Sequence, residues 1–331
     1  MQNHVSALMS VERSSMMEQR LLDRQIPPCM IGTWAWGSGI NGSKMIFGNR
    51  YDEQELIETF RQACDAGFTM WDTAEVYGKG NSERILAKCK QECPDILIST
   101  KHFPGKRFRE GAMEKSLEGS CKRLETEIPD LYWIHVPNQL PKNVQEGIKL
   151  LKQGRIKALG ISNANLEQIQ QTCRQMQSEG VRLAAVQNHF SLLSGGRQQE
   201  EIIAYCREQG IVYFSYMVLE QGALSGRYDG KHGFSGISLR RLTFTKRKLS
   251  KIEPLLAYQK ELAEQYQVGT AQIPVAWAIA KGTVPIIGLT RPKYVADLAK
   301  AVTVSLQESE LQKLERLAQE SGVYIKGVWE P

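Results

Sequence analysis

No apolar run in this 331-residue chain approaches the roughly 18 residues a membrane-crossing helix needs, and the first residues lack an apolar core of signal-peptide length. Membrane partners are therefore not expected, and the cysteine usage described next leads to the expectation of a cytoplasmic location. Cysteine is unpatterned: seven residues, an odd number without C-x-x-C spacing, exclude a disulfide framework and point to reduced thiols. Cys89 and Cys93 lie one helical turn apart with no His or further Cys beside them, so they read as packing thiols. No other cluster of metal-ligating residues appears, and no metal is expected. Charge of one sign is also lacking. Against 42 Lys and Arg stand 36 Asp and Glu, and the net +6 does not imply a nucleic-acid surface. Finally, the first predicted strand is followed by Gly32-Thr33-Trp34-Ala35-Trp36-Gly37, which lacks the G-x-G-x-x-G spacing an open doubly wound sheet would offer there.

What is present is a regular alternation. Residues 1–17 are polar and without hydrophobic periodicity, and are expected to be a disordered leader; 18–331 form one domain, beginning with a short strand or hairpin over 18–28. Strands are predicted at 29–32, 68–71, 96–100, 131–134, 156–160, 183–186, 211–216 and 285–287. Helices are predicted at 53–66, 82–91, 110–124, 144–153, 166–176, 198–209, 249–265, 271–280, 292–300 and 308–319. Short strands each followed by a helix make this an α/β chain. The economical fold is a single (β/α)8 TIM barrel with an N-terminal strand or hairpin cap and a C-terminal helix, and a monomer is expected.

A barrel gathers residues at the C-terminal ends of its strands to one mouth. Trp34, Asp72, Lys101, His135, Asn163, Gln187 and Tyr216 all finish or follow predicted strands. Met70-Trp71-Asp72-Thr73-Ala74-Glu75-Val76-Tyr77-Gly78 places a carboxylate and a phenol five residues apart. The bland alternative is an N-cap Asp and a surface Tyr. A carboxylate at a buried strand end needs a counter-charge, which Lys101 supplies, and the same ammonium would lower the pKa of Tyr77. His135 adds a neutral donor or acceptor. An acidified phenol and an imidazole aimed at one point suit protonation of a carbonyl oxygen during reduction, with the hydride coming from an organic redox cofactor.

The segments Asp72-Thr73-Ala74-Glu75-Val76-Tyr77-Gly78, Ser99-Thr100-Lys101 and Asp130-Leu131-Tyr132-Trp133-Ile134-His135-Val136-Pro137 resemble, in order, the catalytic segments of the aldo-keto reductase family. The resemblance runs from about residue 18 to the C-terminus. It implies a nicotinamide cofactor and a catalytic tetrad of Asp72, Tyr77, Lys101 and His135, with Tyr77 as general acid in reduction and base in oxidation. It further implies that Ser162, Asn163 and Gln187 bond the nicotinamide carboxamide, that Tyr216 stacks on the ring, and that Thr33 and Trp34 lie at the cofactor. The run 221–227, with Gly222, Leu224 and Arg227, would meet the pyrophosphate. Gly288, Thr290 and Arg291 would meet the adenosine end, with NADP(H) favoured and NAD(H) possible. This chain departs from the family in having Met217-Val218 where Ser-Pro is usual after the Tyr, and Leu289, Tyr294 and Leu298 where polar or basic residues are usual.

Trp34, Trp36, His102 and Phe103, with the 37–52 connection, are expected to line an aromatic substrate pocket, and Trp133 to fill the barrel. The basic stretch within 228–250 is too long for a bare connection and reads either as a clasp over an anionic cofactor or as a solvated face. Two rival functions share the fold: a cofactor-binding, redox-sensing regulatory subunit, and a Schiff-base aldolase using Lys101.

Overall fold

The computed structural model describes residues 19–37, 51–234 and 239–326, so the 1–17 leader and most of the 37–52 connection lie outside the described residues. The chain begins with the antiparallel hairpin β1 (Arg20–Leu21) and β2 (Arg24–Gln25), turned by Leu22 and Asp23 at φ 51° and 60°. Two left-handed residues give such a turn the twist of its strands.

After β3 (Met30–Gly32) the elements are α1 (Glu53–Asp65), β4 (Met70–Asp72), α2 (Asn81–Cys89), β5 (Leu97–His102), α3 (Ala112–Leu124), β6 (Leu131–Ile134), α4 (Leu140–Lys152), β7 (Leu159–Ser162), α5 (Leu166–Ser178), β8 (Ala185–His189), α6 (Arg197–Glu208) and β9 (Val212–Tyr216). There follow α7 (Leu239–Thr243), α8 (Lys246–Lys251), α9 (Glu253–Gln265), α10 (Gln272–Ala280), β10 (Val284–Gly288), α11 (Lys293–Ala301) and α12 (Glu308–Glu320). Strands β3 to β10 close into a parallel barrel in sequence order, with β10 beside β3. The expected (β/α)8 architecture and hairpin are both present.

Strand alternation sorts the side chains. Met30, Met70, Leu97, Leu131, Trp133, Ala158, Ala185, Val212, Phe214 and Val284 form the barrel interior, and Leu21 and Ile26 of the hairpin join that cluster. The hairpin thus corks the end of the barrel opposite the mouth. The alternate residues, among them Ile31, Trp71, Ile98, Tyr132, Ile161, Val186 and Tyr213, pack outward against the helices. Trp133 fills the interior as expected: it meets Phe214 edge-on at 5.7 Å, and a Cβ added to Gly160 would lie 2.4 Å from its ring.

Local chemistry sets the helices. Asp52 caps α1 by accepting from Gln54 N, and the α1 stripe Leu56, Phe60 and Ala63 is buried. Asn165 and Gln168 form a capping box on α5. The first turn of α3 has no cap of its own. Instead Glu146, from α4, accepts from the amides of Gly111 and, at 3.2 Å, Met113.

One expectation changes: Lys101 does not end its strand, because β5 continues through His102. The 228–250 stretch contains α7 and most of α8, and Phe234 within it has its ring 4.0 Å from that of Tyr228 and 6.1 Å from that of Phe244.

Candidate active site

The centre of the barrel mouth is a buried cation. Lys101 is fully buried, and its ammonium donates to Asp72 Oδ2, to the Thr73 carbonyl at 2.7 Å and to the Tyr77 hydroxyl at 3.3 Å. These commit its three N–H groups. The other Asp72 oxygen, Oδ1, accepts from Ser99 Oγ at 2.6 Å and from Gln187 Nε2 at 3.4 Å. Ser99 and Lys101 lie two apart on β5 and so share its inner face, while Thr100 between them turns outward to Glu83. Burial pushes the Lys101 pKa below its ordinary value, and the Asp72 carboxylate works against that fall.

Tyr77 follows in the loop after β4. Its ring stacks on Trp34 at 5.8 Å and meets the edge of His135 at 5.9 Å. The loops carrying the first two rings touch through glycine backbone: a Cβ on Gly37 would lie 2.9 Å from Gly78 N. Burial, then the charges of Asp72 and Tyr216, push the Tyr77 pKa well above 10. The expectation that Lys101 lowers it is thus reversed in net direction, because desolvation of a phenolate outweighs one ammonium already shared with a carboxylate. His135 directly follows β6, on the inward-facing register of Leu131 and Trp133. Its pKa lies well below 6.5, because burial and the charges of Lys101 and His102 disfavour imidazolium, and its buried Nδ1 has no protein partner.

Beside this group lies a polar set from the next three strands. Ser162 Oγ donates to the Gln187 carbonyl at 2.8 Å, and Asn163 Nδ2 donates to the His135 carbonyl at 2.9 Å. The Tyr216 hydroxyl donates to Asn163 Oδ1 at 2.6 Å. Asn163 adopts φ 62°, a left-handed conformation that Asn tolerates better than most residues.

These residues open on a cleft of about 1040 Å³. The Aldo/keto reductase family model matches residues 28–319. The chain belongs to the aldo/keto reductase family. It is 31% identical over 316 residues to the chloroplastic pyridoxal reductase of Arabidopsis thaliana, covering 89% of this chain and 84% of that one. It is 30% identical over 313 residues to probable aldo-keto reductase 1 of Glycine max, covering 88% of each. Among solved structures it resembles the thermostable aldo-keto reductase Tm1743 in complex with the inhibitor epalrestat (25% identity, 91% of this chain and 100% of that one, TM-score 0.72). It shares its fold with an aldo/keto reductase from Klebsiella pneumoniae in complex with NADP and acetate (24% identity, 92% and 95% covered, TM-score 0.71).

In this aldo/keto reductase the cleft wall includes Asp72, Tyr77, His135, Ser162, Asn163, Gln187 and Tyr216, with Trp34, Gly222, Arg227, Gly288, Thr290 and Arg291. Lys101 stands behind that wall, touching the cleft only through its partners. Four expected contacts are not at the wall. Thr33 is buried, its hydroxyl donating to the Asp72 carbonyl at 2.9 Å, and Leu224 is buried in the core. Trp36 turns into the shell, where its Nε1 donates to the Leu289 carbonyl at 2.6 Å and its ring packs on Trp71 at 5.3 Å. His102 faces outward because Lys101 faces inward, and its Nδ1 lies 3.5 Å from Glu75 Oε1. Trp36 and His102 therefore do not line the cleft formed by the described residues.

Of the wall and support residues without an expected role, Glu75 and Met217 stand in the quoted segments, whereas His189 and Glu220 carry no motif signal. Glu75 accepts from Phe103 N at 2.7 Å and Ser116 Oγ at 2.6 Å, which ties the loop after β5 to α3. Burial raises its pKa, but bonds from His102, Ser116 and Phe103 outweigh that, and the net direction is down. Among the described residues no helix is long and apolar enough to cross a membrane, and no group of His, Cys, Asp and Glu could hold a metal ion. All seven cysteines are free.

Proposed function

We propose that the protein reduces an aldehyde or ketone to the alcohol, reversibly, with NADP(H) as the hydride partner and Tyr77 as general acid in reduction and base in oxidation. The observation that carries the reading is the Lys101 ammonium bonded at once to Asp72 and to the Tyr77 hydroxyl, with the neutral His135 ring beside that hydroxyl on the cleft. A carbonyl oxygen seated between Tyr77 and His135 would receive a hydrogen bond from each, and its developing charge would be stabilised by Lys101 through the phenol. The raised Tyr77 pKa keeps the phenol protonated at neutral pH, as a proton donor must be. Asp72 and Ser99 hold the chain of donors in register.

The cleft suits a nicotinamide dinucleotide on observations of its own. Gln221 Oε1, Gln272 Oε1, Arg240 Nε and His135 Nδ1 are buried polar atoms without protein partners on its wall. Ser162, Asn163 and Gln187 would hold the carboxamide, Tyr216 the ring, Gly222 and Arg227 the pyrophosphate, and Gly288, Thr290 and Arg291 the adenosine end. The cofactor supplies the hydride when bound. Among the described residues the ion pair of Arg291, half exposed, is a long contact to Glu55 at 3.8 Å, which leaves the guanidinium suited to a 2′-phosphate and favours NADP(H). Arg240 and Thr243 of α7 reach the cleft wall, so the 228–250 segment would act as a clasp over the cofactor.

Trp34, Tyr51 and Phe103 make the substrate end aromatic, suiting a planar ring-bearing carbonyl. The pyridoxal reductase relative places aromatic aldehydes first in the panel to be tried. The Schiff-base reading is the weaker one, because the Lys101 nitrogen is buried and fully committed to three acceptors. The test is a carbonyl panel followed by NADPH and NADH absorbance, run on the parent and on Tyr77→Phe. The variant keeps the ring contacts, and its turnover should fall by about 10² to 10⁴, the usual contribution of a general acid. Unchanged turnover would show that Tyr77 is not the proton donor. A parent that binds NADPH but turns over none of the panel would favour the redox-sensing subunit.

A further inference from the structure

We infer that Glu220 is a positioning residue, which holds the Tyr216 ring at the cleft wall through His189. The inference rests on the proposed function, in which Tyr216 is the platform for the nicotinamide ring.

Glu220 lies in the turn after β9 and is fully buried, an expensive place for a carboxylate. Its Oε1 is bonded to His189 Nε2 at 2.7 Å and accepts from Ser191 Oγ, while Oε2 is buried without a partner. An apolar side chain would fill this space without leaving an orphaned oxygen, so packing alone does not account for the residue. The backbone around it is costly too. Met217, Glu220 and Gln221 adopt φ of 62°, 47° and 54°, a left-handed backbone that is unfavourable for any residue with a Cβ. Such a turn persists only where its surroundings over-determine it, and the Glu220 carboxylate is the side chain that fastens this one to the end of β8.

The fastening leads to the site. His189 is the last residue of β8, and its ring stacks on Tyr216 at 5.4 Å with 22° between planes. The hydroxyl at the far end of Tyr216 is bonded to Asn163, and Asn163 to the backbone of His135. The phenol is thus clamped at its face by His189 and at its tip by Asn163, and only the face clamp depends on Glu220. Gly222, two residues on, lies on the cleft wall, so the same carboxylate also sets the start of the run expected at the pyrophosphate.

Both bonds to Glu220 fall on one oxygen, which makes a sharp comparison possible. Glu220→Gln keeps an acceptor oxygen for His189 and Ser191, whereas Glu220→Leu keeps the bulk and loses both bonds. The experiment measures kcat and the KM for NADPH of the parent, Glu220→Gln, Glu220→Leu, Tyr216→Leu and the Glu220→Leu/Tyr216→Leu double variant. Glu220→Leu should lower kcat about tenfold, a coupling of the size seen between contacting residues, and by less than about twofold when Tyr216 is already Leu. Glu220→Gln should stay within about threefold of the parent. Should Glu220→Leu fail to fold, His189→Phe, which leaves a ring on Tyr216 but drops the bond to Glu220, goes through the same cycle with the same expectation. Losses that simply add in the double variant, or a Gln variant as impaired as the Leu variant, overturn the inference while leaving the proposed function intact. A parent without NADPH-dependent turnover removes both.

Discussion

Replacing Lys101 by Met tests the centre of the site on two scales at once. The substitution roughly conserves volume in a fully buried position but deletes all three N–H bonds, leaving Asp72, 3% exposed, with only Ser99 and the long contact to Gln187. Removing one partner of a buried ion pair costs about 3–5 kcal/mol, because the remaining charge is left uncompensated. Unfolding entropy of about 2.1 cal/mol/K per residue gives roughly 0.7 kcal/mol/K for a chain of this size, so Tm should fall by about 4–7 °C. Adding Asp72→Asn removes the stranded charge and keeps an acceptor for Ser99, and most of the lost Tm should return. Activity should not return. Neither variant has an ammonium behind the Tyr77 hydroxyl, and carbonyl reduction should remain down by about 10² or more in both. Thermal melts followed by circular dichroism and NADPH-consumption assays at matched pH read the two effects. A Lys101→Met variant melting with the parent would refute the stabilising pair, and a double variant with parental turnover would refute the role of the cation in the chemistry.

Other outcomes follow from the same geometry. Arg291→Ala should weaken NADPH binding by at least about tenfold, the loss of a charge-assisted bond, and NADH binding little; equal losses in fluorescence titrations would remove the 2′-phosphate assignment. His135 stays neutral in the fold below the 6.5 at which the unfolded chain takes up its proton, so its contribution to stability is complete above that pH and declines as pH falls below it. The denaturant midpoint of His135→Gln should therefore drop less than that of the parent between about pH 7 and pH 5; parallel drops would contradict the shifted imidazole. Saturating NADPH should slow proteolytic cleavage within 228–250 if the segment clasps the cofactor, and an unchanged cleavage rate would count for a solvated basic face.

The barrel and the segments proposed as catalytic were legible because their signals are local: short apolar strands, each followed by a polar residue, with helix patterns between. Asp72, Lys101 and His135 could be gathered from strand ends, since closure brings strand ends together, and Tyr77 from the loop that follows Asp72. The misplacements come from ignoring the two-residue period at those same ends. Once Lys101 faces the interior, His102 cannot, and Trp36 is carried past the mouth by the short helical turn of residues 34–36. Glu220 and His189 lie 31 residues apart, and only the adjacency of β8 and β9 makes them partners. The direction of the Tyr77 pKa was likewise out of reach, because it depends on burial, which no motif records.

Gly160 bears on how this enzyme can change. Its missing side chain admits the Trp133 indole across the barrel axis, and even one methyl group there would collide with it at 2.4 Å. The floor beneath the reacting groups is therefore shared by two neighbouring strands, and Gly160 cannot gain a side chain unless Trp133 moves or shrinks. On the rim, Trp34 packs on Tyr77 and Phe103 on His135, so of the three aromatic wall residues Tyr51, at the start of the segment leading into α1, is the one whose exchange leaves those rings in place.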